Sequence, residues 1–301
     1  MIKHLKPEKD VKNIVDIKPY EAITGFLSDL RNQTIWLSNQ ASQALISLCS
    51  QGSKKDKTTN RLLIECSPVT LAKAIKNKVE IQGFINCHVR DAAALCSYFA
   101  WLEKEIPSGT VTEISAADKL ASLRAEMENF VGLSFDTISS VGPNGAIIHY
   151  KPTEETSRTL NTEEIYLVDS GGQYKDGTTD VTRTLHFGTP KPFEKECFTR
   201  VLKGQIKVAQ AVFPSKIKGN YLDTLARTSL WEVGLDYGHG TGHGVGAYLN
   251  VHEGPMGISW RPYPDDPGLQ VGMVLSNEPG YYQDGEFGKY SIYFLKLHPY
   301  L

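Results

Sequence analysis

The sequence predicts a mixed α/β chain in two units, a small one ahead of a larger one. Two observations carry this. In the first 65 or so residues, apolar runs suited to strands (VKNIVDI at 11–17, TIWLS at 34–38, RLLIE at 61–65) alternate with helical stretches near 19–30 and 40–48, and such βαβαβ alternation indicates an α/β unit. Beyond it the order becomes two helices, strands, two helices, strands, which suggests two similar α/β halves.

The first unit is small, because about 65 residues bury only a marginal core. Its polar, turn-rich stretch Ser50–Asn60 reads as a surface loop, and Lys54-Lys55-Asp56-Lys57 within it as a solvated run rather than a binding patch. The boundary falls near Ser67-Pro68, giving units at 1–66 and 67–301. In the second unit a helix is expected over 82–105, since Phe84, His88, Ala92, Leu95 and Phe99 recur at helical spacing and Pro107 lies just beyond. A second helix follows over 115–130, then strands at 133–139, 145–150, 165–170 and 180–187. Two further helices span 193–213 and 220–233, with Pro192 at the start of the first and Gly234 where a helix-ending glycine is expected.

Composition narrows the function classes. The 301 residues are 41% hydrophobic and 22% charged, ordinary for a folded globular chain. A net charge of −2 and a pI near 6.5 offer no electrostatic case for nucleic acid or an anionic membrane. The opening MIKHLKPEKDVKNIVDIKPY has no apolar core long enough for a signal peptide or membrane anchor, so a cytoplasmic protein is expected. Five dispersed cysteines without Cys-x-x-Cys argue against a disulfide framework or zinc knuckle.

The stretch from Ile165 to Phe187, IYLVDSGGQYKDGTTDVTRTLHF, holds the first candidate site residues. Asp169 ends one strand-like run and Asp180 opens another. A hairpin turning between Tyr174 and Lys175 sets the two acids opposite each other, with Cβ atoms about 4.5–5.5 Å apart. Opposed like charges are destabilising unless a cation lies between them; the plainer alternative is two solvated acids at strand ends. Downstream come GHGTGHGVG (Gly238–Gly246), NVHEGP (Asn250–Pro255) and NEPGYY (Asn277–Tyr282), each with a ligand- or proton-bearing side chain among glycines. Carboxylates with imidazole suit a hard divalent ion such as Mn²⁺, with Zn²⁺ or Co²⁺ also accepted. A phosphate-binding glycine loop is the competing reading of GHGTGHGVG, but such a loop opens a helix, and AYLNVHEGP has no helical period.

KDGTTDVTRT, HGTGHGVG, LNVHEGP and EPGYY together resemble the metallopeptidases of the pita-bread fold, and among them the cytosolic Xaa-Pro aminopeptidases. The likeness runs upstream through YLVDSGGQYKDG, SSVGPNGAIIHY and EISAADK and covers about position 66 to Gly288. It implies a fold in which both halves share one curved antiparallel sheet, preceded here by the latter part of a small α/β domain, in a chain shortened at both ends. It implies that Asp169, Asp180, His243 and Glu278 are metal ligands, that Asp180 bridges two Mn²⁺ ions, and that Glu278 also moves protons. His149, His239 and His252 fall at the family's surrounding histidines, which bind the substrate peptide group or carry protons; His243 and Glu278 also face substrate. Tyr281 and Tyr282 fit equally as proline-pocket walls or as core. The implied substrate is a peptide with proline second, and a homodimer is compatible.

One part of the resemblance fails. The family's fifth ligand is a glutamate in Gly-x-Arg-x-Glu, and here Tyr290 and Ile292 stand where the arginine and glutamate belong. His298 is six positions late and precedes a proline, which makes it a poor replacement. The resemblance therefore implies an aminopeptidase with one metal site lost or weakened. A non-catalytic pita-bread protein that binds partners or regulates an intact subunit is the alternative, and prolidase is the nearest rival within the enzyme class.

Overall fold

The computed structural model describes residues 17–50 and 60–288, and the backbone of 289–290 and 293–296. Almost all of the expected strand over 11–17, the run 54–57, Ile292 and His298 lie outside the described residues. The chain separates into two compact units, Met1–Pro68 and Val69–Leu301.

In the first unit, α1 (Ala22–Asp29), β1 (Thr34–Ser38), α2 (Gln43–Ser50) and β2 (Arg61–Glu65) follow one another. The strands pair in parallel, Thr34 with Arg61 through Ser38 with Glu65, so the connection must cross over, and α2 lies within that crossover. Asn60 ties the ends of the elements, donating to Leu30 O and Cys49 O and accepting from Gln33 N.

The second unit opens with α3 (Pro68–Ala74) and α4 (Lys78–Glu105). Helix α4 starts earlier than expected because Asn77 and Glu80 form a reciprocal cap: the Asn77 side chain accepts from Glu80 N while the Glu80 side chain accepts from Asn77 N. Its buried face runs through Phe84, Cys87, Asp91, Leu95, Tyr98 and Leu102, leaving Ala92 exposed. Buried Asp91 takes a bidentate pair from Arg124 at 2.7 and 2.9 Å, and the Tyr174 hydroxyl at 2.9 Å. Helix α5 spans Glu113–Ala125 rather than 115–130. Asn129, in the left-handed conformation at φ 66°, ends any helical course, and β3 (Phe130–Leu133) begins at once.

The single strand expected over 133–139 is two, β3 and β4 (Ile138–Val141). The break is held by Ser134, whose N–H donates to Gly171 O and whose hydroxyl donates to Thr179 O. The strand expected over 145–150 is absent. Gly142–Ala146 instead forms a 3-10 turn with Pro143 at its start, and Tyr150 N bonds back to Ile147 O across His149, whose φ is +59°.

Next come β5 (Tyr166–Ser170), β6 (Gly172–Tyr174), β7 (Gly177–Thr178) and β8 (Val181–Leu185). Strand β5 lies between β4 and β8, both antiparallel to it, and is buried along its whole length. A core of Tyr98, Leu102, Leu120, Val141, Tyr166 and Val168 joins α4 and α5 to this sheet. Helices α6 (Pro192–Ala209) and α7 (Asn220–Trp231) follow, and Gly234 closes the second at φ 74°. Short antiparallel strands complete the unit: β9 (Gly242–His243) with β10 (Gly257–Ile258), β11 (Val274–Asn277) with β14 (Tyr293–Lys296), and β12 (Gly280–Gln283) with β13 (Phe287–Tyr290).

Gly204 sets how closely α6 and α7 approach, because a Cβ there would lie 2.0 Å from Ala226 O. Gly204→Ala is therefore expected to cost about 1–3 kcal/mol by overpacking, despite the better helix propensity of alanine. Thermal unfolding checks this; an unchanged or higher melting temperature would show that the helices can move apart freely.

Candidate metal centre

Asp169 is on β5 and Asp180 stands immediately before β8, at the two ends of the β6–β7 hairpin. The acids are not directly opposed. Asp169 pairs with Thr182, and Tyr174 pairs with Gly177, so the turn is centred between Lys175 and Asp176, one residue later than expected. Asp180 is thus the diagonal neighbour of Asp169, two residues from its partner. Side chains two apart along a strand share a face, so both carboxylates still enter the same space, and both are buried.

His243 on β9 and Glu278 just after β11 come from the other half. An isolated antiparallel bridge between Gly244 and Leu275 joins the two segments, and Glu278 N donates to Thr241 O at 2.7 Å. Gly242 permits this approach, since a Cβ there would fall 2.1 Å from Ser276 O. The glycine brings two chain segments together rather than a backbone to an ion. Ser276 links the partners: its hydroxyl accepts from His243 N at 2.9 Å and donates to Glu278 Oε1.

His243 Nε2 lies 3.3 Å from Asp180 Oδ2 and 3.1 Å from Glu278 Oε1. Burial, and then the charge of Asp180, pushes Asp169 well above the ordinary carboxylate range. Burial also raises Asp180. For Glu278, burial opposes ionisation, but the charge and hydrogen bond of His243 and the Ser276 hydroxyl hold it below the usual range. Burial works against a charged His243 too, and Glu278 and Asp180 override it, so its imidazole is pushed well up.

Asp169, Asp180, His243, Glu278, His239, His252 and His149 all line one cavity of about 610 Å³. His252 stacks edge-on against His243, ring centres 4.1 Å apart. The rings of His149 and His252 are exposed. His239 Nδ1 is 2.8 Å from Gly240 O and its Nε2 is 2.9 Å from the Tyr282 hydroxyl. His243 repeats the first of these contacts, with Nδ1 2.9 Å from Gly244 O. A carbonyl can only accept, so Nδ1 carries the proton in both rings. The tyrosines divide: Tyr282 lines the cavity, while Tyr281 is buried in a core with Phe287 and Cys197 and meets the ring of Phe193 edge-on.

These residues suit a divalent ion by donor type and by what they leave unsatisfied. Among the described residues Oδ1 of Asp169 and Oδ1 of Asp180 are buried without hydrogen-bond partners, and three carboxylates share one apolar-walled space, which favours a cation. His243 also has its Nδ1–H bonded to a carbonyl and its Nε2 toward the acids, the arrangement metal-binding histidines use. Among the described residues no three such side chains stand in ready-made coordinating geometry. His243 donates directly to the acids, so an ion would have to exchange for that proton.

Sequence reasoning missed the residues that hold this constellation in place. Arg227, on α7 and buried, donates to both oxygens of Asp223 (2.7 and 3.2 Å), to Asp236 Oδ1 (2.8 Å), and to the carbonyls of Tyr237 (2.6 Å) and His239 (2.7 Å). Asp223 in turn accepts from Thr241 Oγ1 at 2.6 Å. The segment leading to His243 is thereby pinned at alternate residues. The signal was an i,i+4 Asp–Arg pair within a helix, which on its own reads as a solvated pair. Glu113, in EISAADK, is a second such residue.

Buried acids and an imidazole that meet where the strands of a two-half α/β unit come together are the donor set that a metallohydrolase-type centre would need. The chain belongs to metallopeptidase family M24, whose model matches residues 83–293, and a creatinase/prolidase N-terminal domain model matches 1–80. It is 55% identical over 278 residues to the Xaa-Pro aminopeptidase ApepP of Drosophila melanogaster, covering 91% of this chain and 44% of that protein. It is 49% identical over 289 residues to Xaa-Pro aminopeptidase 1 of Dictyostelium discoideum, covering 94% and 45%. The chain thus spans about half the length of these relatives. Among solved structures it matches X-prolyl aminopeptidase from Caenorhabditis elegans, described as a cytosolic enzyme with a di-nuclear active site, with a TM-score of 0.84 and 42% identity over 92% of this chain and 45% of that one. X-Pro aminopeptidase from Thermotoga maritima matches with a TM-score of 0.72 and 26% identity, covering 93% and 75%. The fold is the pita-bread arrangement of this family. Among the described residues no helix is long and apolar enough to cross a membrane.

Proposed function

We propose that this chain carries the site of a metal-dependent aminopeptidase that removes the N-terminal residue from peptides with proline in second position, acting in the cytoplasm. The observation that carries this reading is the meeting of Asp169, Asp180, Glu278 and His243 in one cavity, with two buried carboxylate oxygens unpartnered among the described residues. Residues 1–66 then belong to an α/β domain and 67–301 to the catalytic unit.

Those four side chains would hold Mn²⁺. When bound, divalent ions supply Lewis acidity toward a water and the scissile carbonyl. The chain's own residues do the rest. The Nδ1–H bond of His243 keeps Nε2 directed at the carboxylates. Glu278, held ionised by Ser276 and His243, is placed to accept a proton. His149 and His252, exposed on the cavity wall, are placed to hydrogen-bond the peptide group and to return a proton to the leaving proline nitrogen. Ile147, Ile148 and Val251 form apolar walls beside them.

With Ile292 where the resemblance places a bridging glutamate, one negative charge is missing from the ligand set and turnover is expected to be weak. Release of the first residue from an Xaa-Pro peptide, with and without Mn²⁺, tests this beside a Tyr290→Arg, Ile292→Glu variant. The expected results are Mn²⁺ binding by both chains and hydrolysis raised about 10²-fold or more in the variant. Absence of Mn²⁺ binding from both would remove the proposal, and equal turnover would show that the fifth carboxylate does not matter here.

A further inference from the structure

We infer that Glu113 is the positioning residue for His149, acting through the turn that carries it. Glu113 is the first residue of α5 and is fully buried, where the helix N-terminus favours a carboxylate. Among the described residues its four hydrogen-bond donors all belong to one segment, 141–158. Val141 N donates to Oε1 at 2.7 Å; Arg158 N (3.0 Å) and the Tyr150 hydroxyl (2.8 Å) donate to Oε2; Asn144 Nδ2 reaches both oxygens, at 3.1 and 3.0 Å. One carboxylate thus clamps both ends of the segment and two points within it. His149 lies inside that clamp, next to Tyr150, in a left-handed conformation that a side-chain-bearing residue holds only when its surroundings impose it.

The chemistry requires a carboxylate. Each oxygen of Glu113 receives a backbone N–H, from Val141 at one and from Arg158 at the other. Glutamine has the same shape, but either orientation of its amide sets an NH₂ group against one of those N–H groups in a buried place. Glu113→Gln therefore keeps the volume and releases one end of the clamp. Tyr150→Phe removes a single donor and leaves the ring, a milder version of the same change.

The inference rests on the reading that His149 contacts the bound peptide, and the test separates the two. The ring NMR signals of His149, His239 and His252 are recorded in the full chain with diamagnetic Zn²⁺, for the unaltered chain and for Glu113→Gln and Tyr150→Phe. Both variants are expected to move the His149 signals, Glu113→Gln more, and to leave those of His239 and His252 in place. Affinity for an Xaa-Pro peptide, measured by calorimetry, is expected to fall about tenfold in Glu113→Gln and in His149→Ala, with the double variant no weaker than either. Unmoved His149 signals, or losses that multiply in the double variant, would overturn the inference. If Glu113→Gln does not fold, the signals of Tyr150→Phe decide it. If the signals move but His149→Ala leaves affinity unchanged, the positioning role stands and the peptide contact of His149 is refuted.

Discussion

Asparagine in place of Asp180 is expected to abolish divalent-metal binding while leaving the metal-free chain no less stable. The two halves of this result have one cause. Asp180 is buried beside Asp169 and Glu278, with His243 in contact with Asp180 and Glu278, and its Oδ1 has no hydrogen-bond partner among the described residues. In the absence of an ion its charge adds repulsion that His243 offsets only in part, so neutralising it at constant volume relieves the site. In the presence of an ion the same charge is the attraction. Loss of a group that merely supports a ligand costs about 10–100-fold in affinity, so loss of the ligand itself should exceed about 100-fold. The stabilisation a metal confers grows with the logarithm of its concentration over Kd, and the rise in melting temperature on adding Mn²⁺ should vanish in Asp180→Asn. Calorimetric titration and thermal unfolding with and without Mn²⁺ check both halves. Retained Mn²⁺ affinity would remove Asp180 from the ligand set; a large drop in metal-free stability would mean the carboxylate is held by contacts of its own.

The second large effect is expected at Arg227. Methionine there fills similar space but abandons every bond the guanidinium makes, including those to the carbonyls of Tyr237 and His239, and uncovers a Tyr237 ring that lies 3.9 Å from the charge. Asp223 would be left buried and ionised without its partner. Breaking such a pair from one side costs about 3–5 kcal/mol, and urea unfolding should show a loss of that size. Lysine should recover little, because a point charge on a flexible stem cannot reproduce five directed donors. The double change Arg227→Met, Asp223→Leu should be less harmful than Arg227→Met alone, since it removes the stranded charge. A loss below about 1 kcal/mol in the single variant would contradict the account.

How much of this was legible in the chain follows from the kind of signal each residue carries. The strands at Thr34–Ser38 and Arg61–Glu65 are short β-branched and apolar runs between polar stretches, and they stand where the pattern placed them. Helix starts were read late because apolar periodicity begins inside a helix, whereas the caps at Asn77 and Thr112 precede it. Asp91 was passed over on the buried face of α4 because its partner Arg124 is 33 positions away. Asp169 and Asp180 could be paired from local sequence, yet their register turned on one residue of turn geometry that composition does not specify. Where a strand is expected at His149 the chain turns instead, and the turn is bonded to Glu113, a residue of α5 that no window along 145–150 contains.

His239 and His243 each donate Nδ1–H to the carbonyl of the very next residue, Gly240 and Gly244. Because that bond closes within a dipeptide, it requires no loop to be ordered and no distant element to dock. The choice of which ring nitrogen turns toward the cavity is made by the histidine and its neighbour, at a scale far below that of the fold. The larger architecture has only to bring two rings, each with its Nε2 already turned outward, to the wall where the acids set the charge of His243.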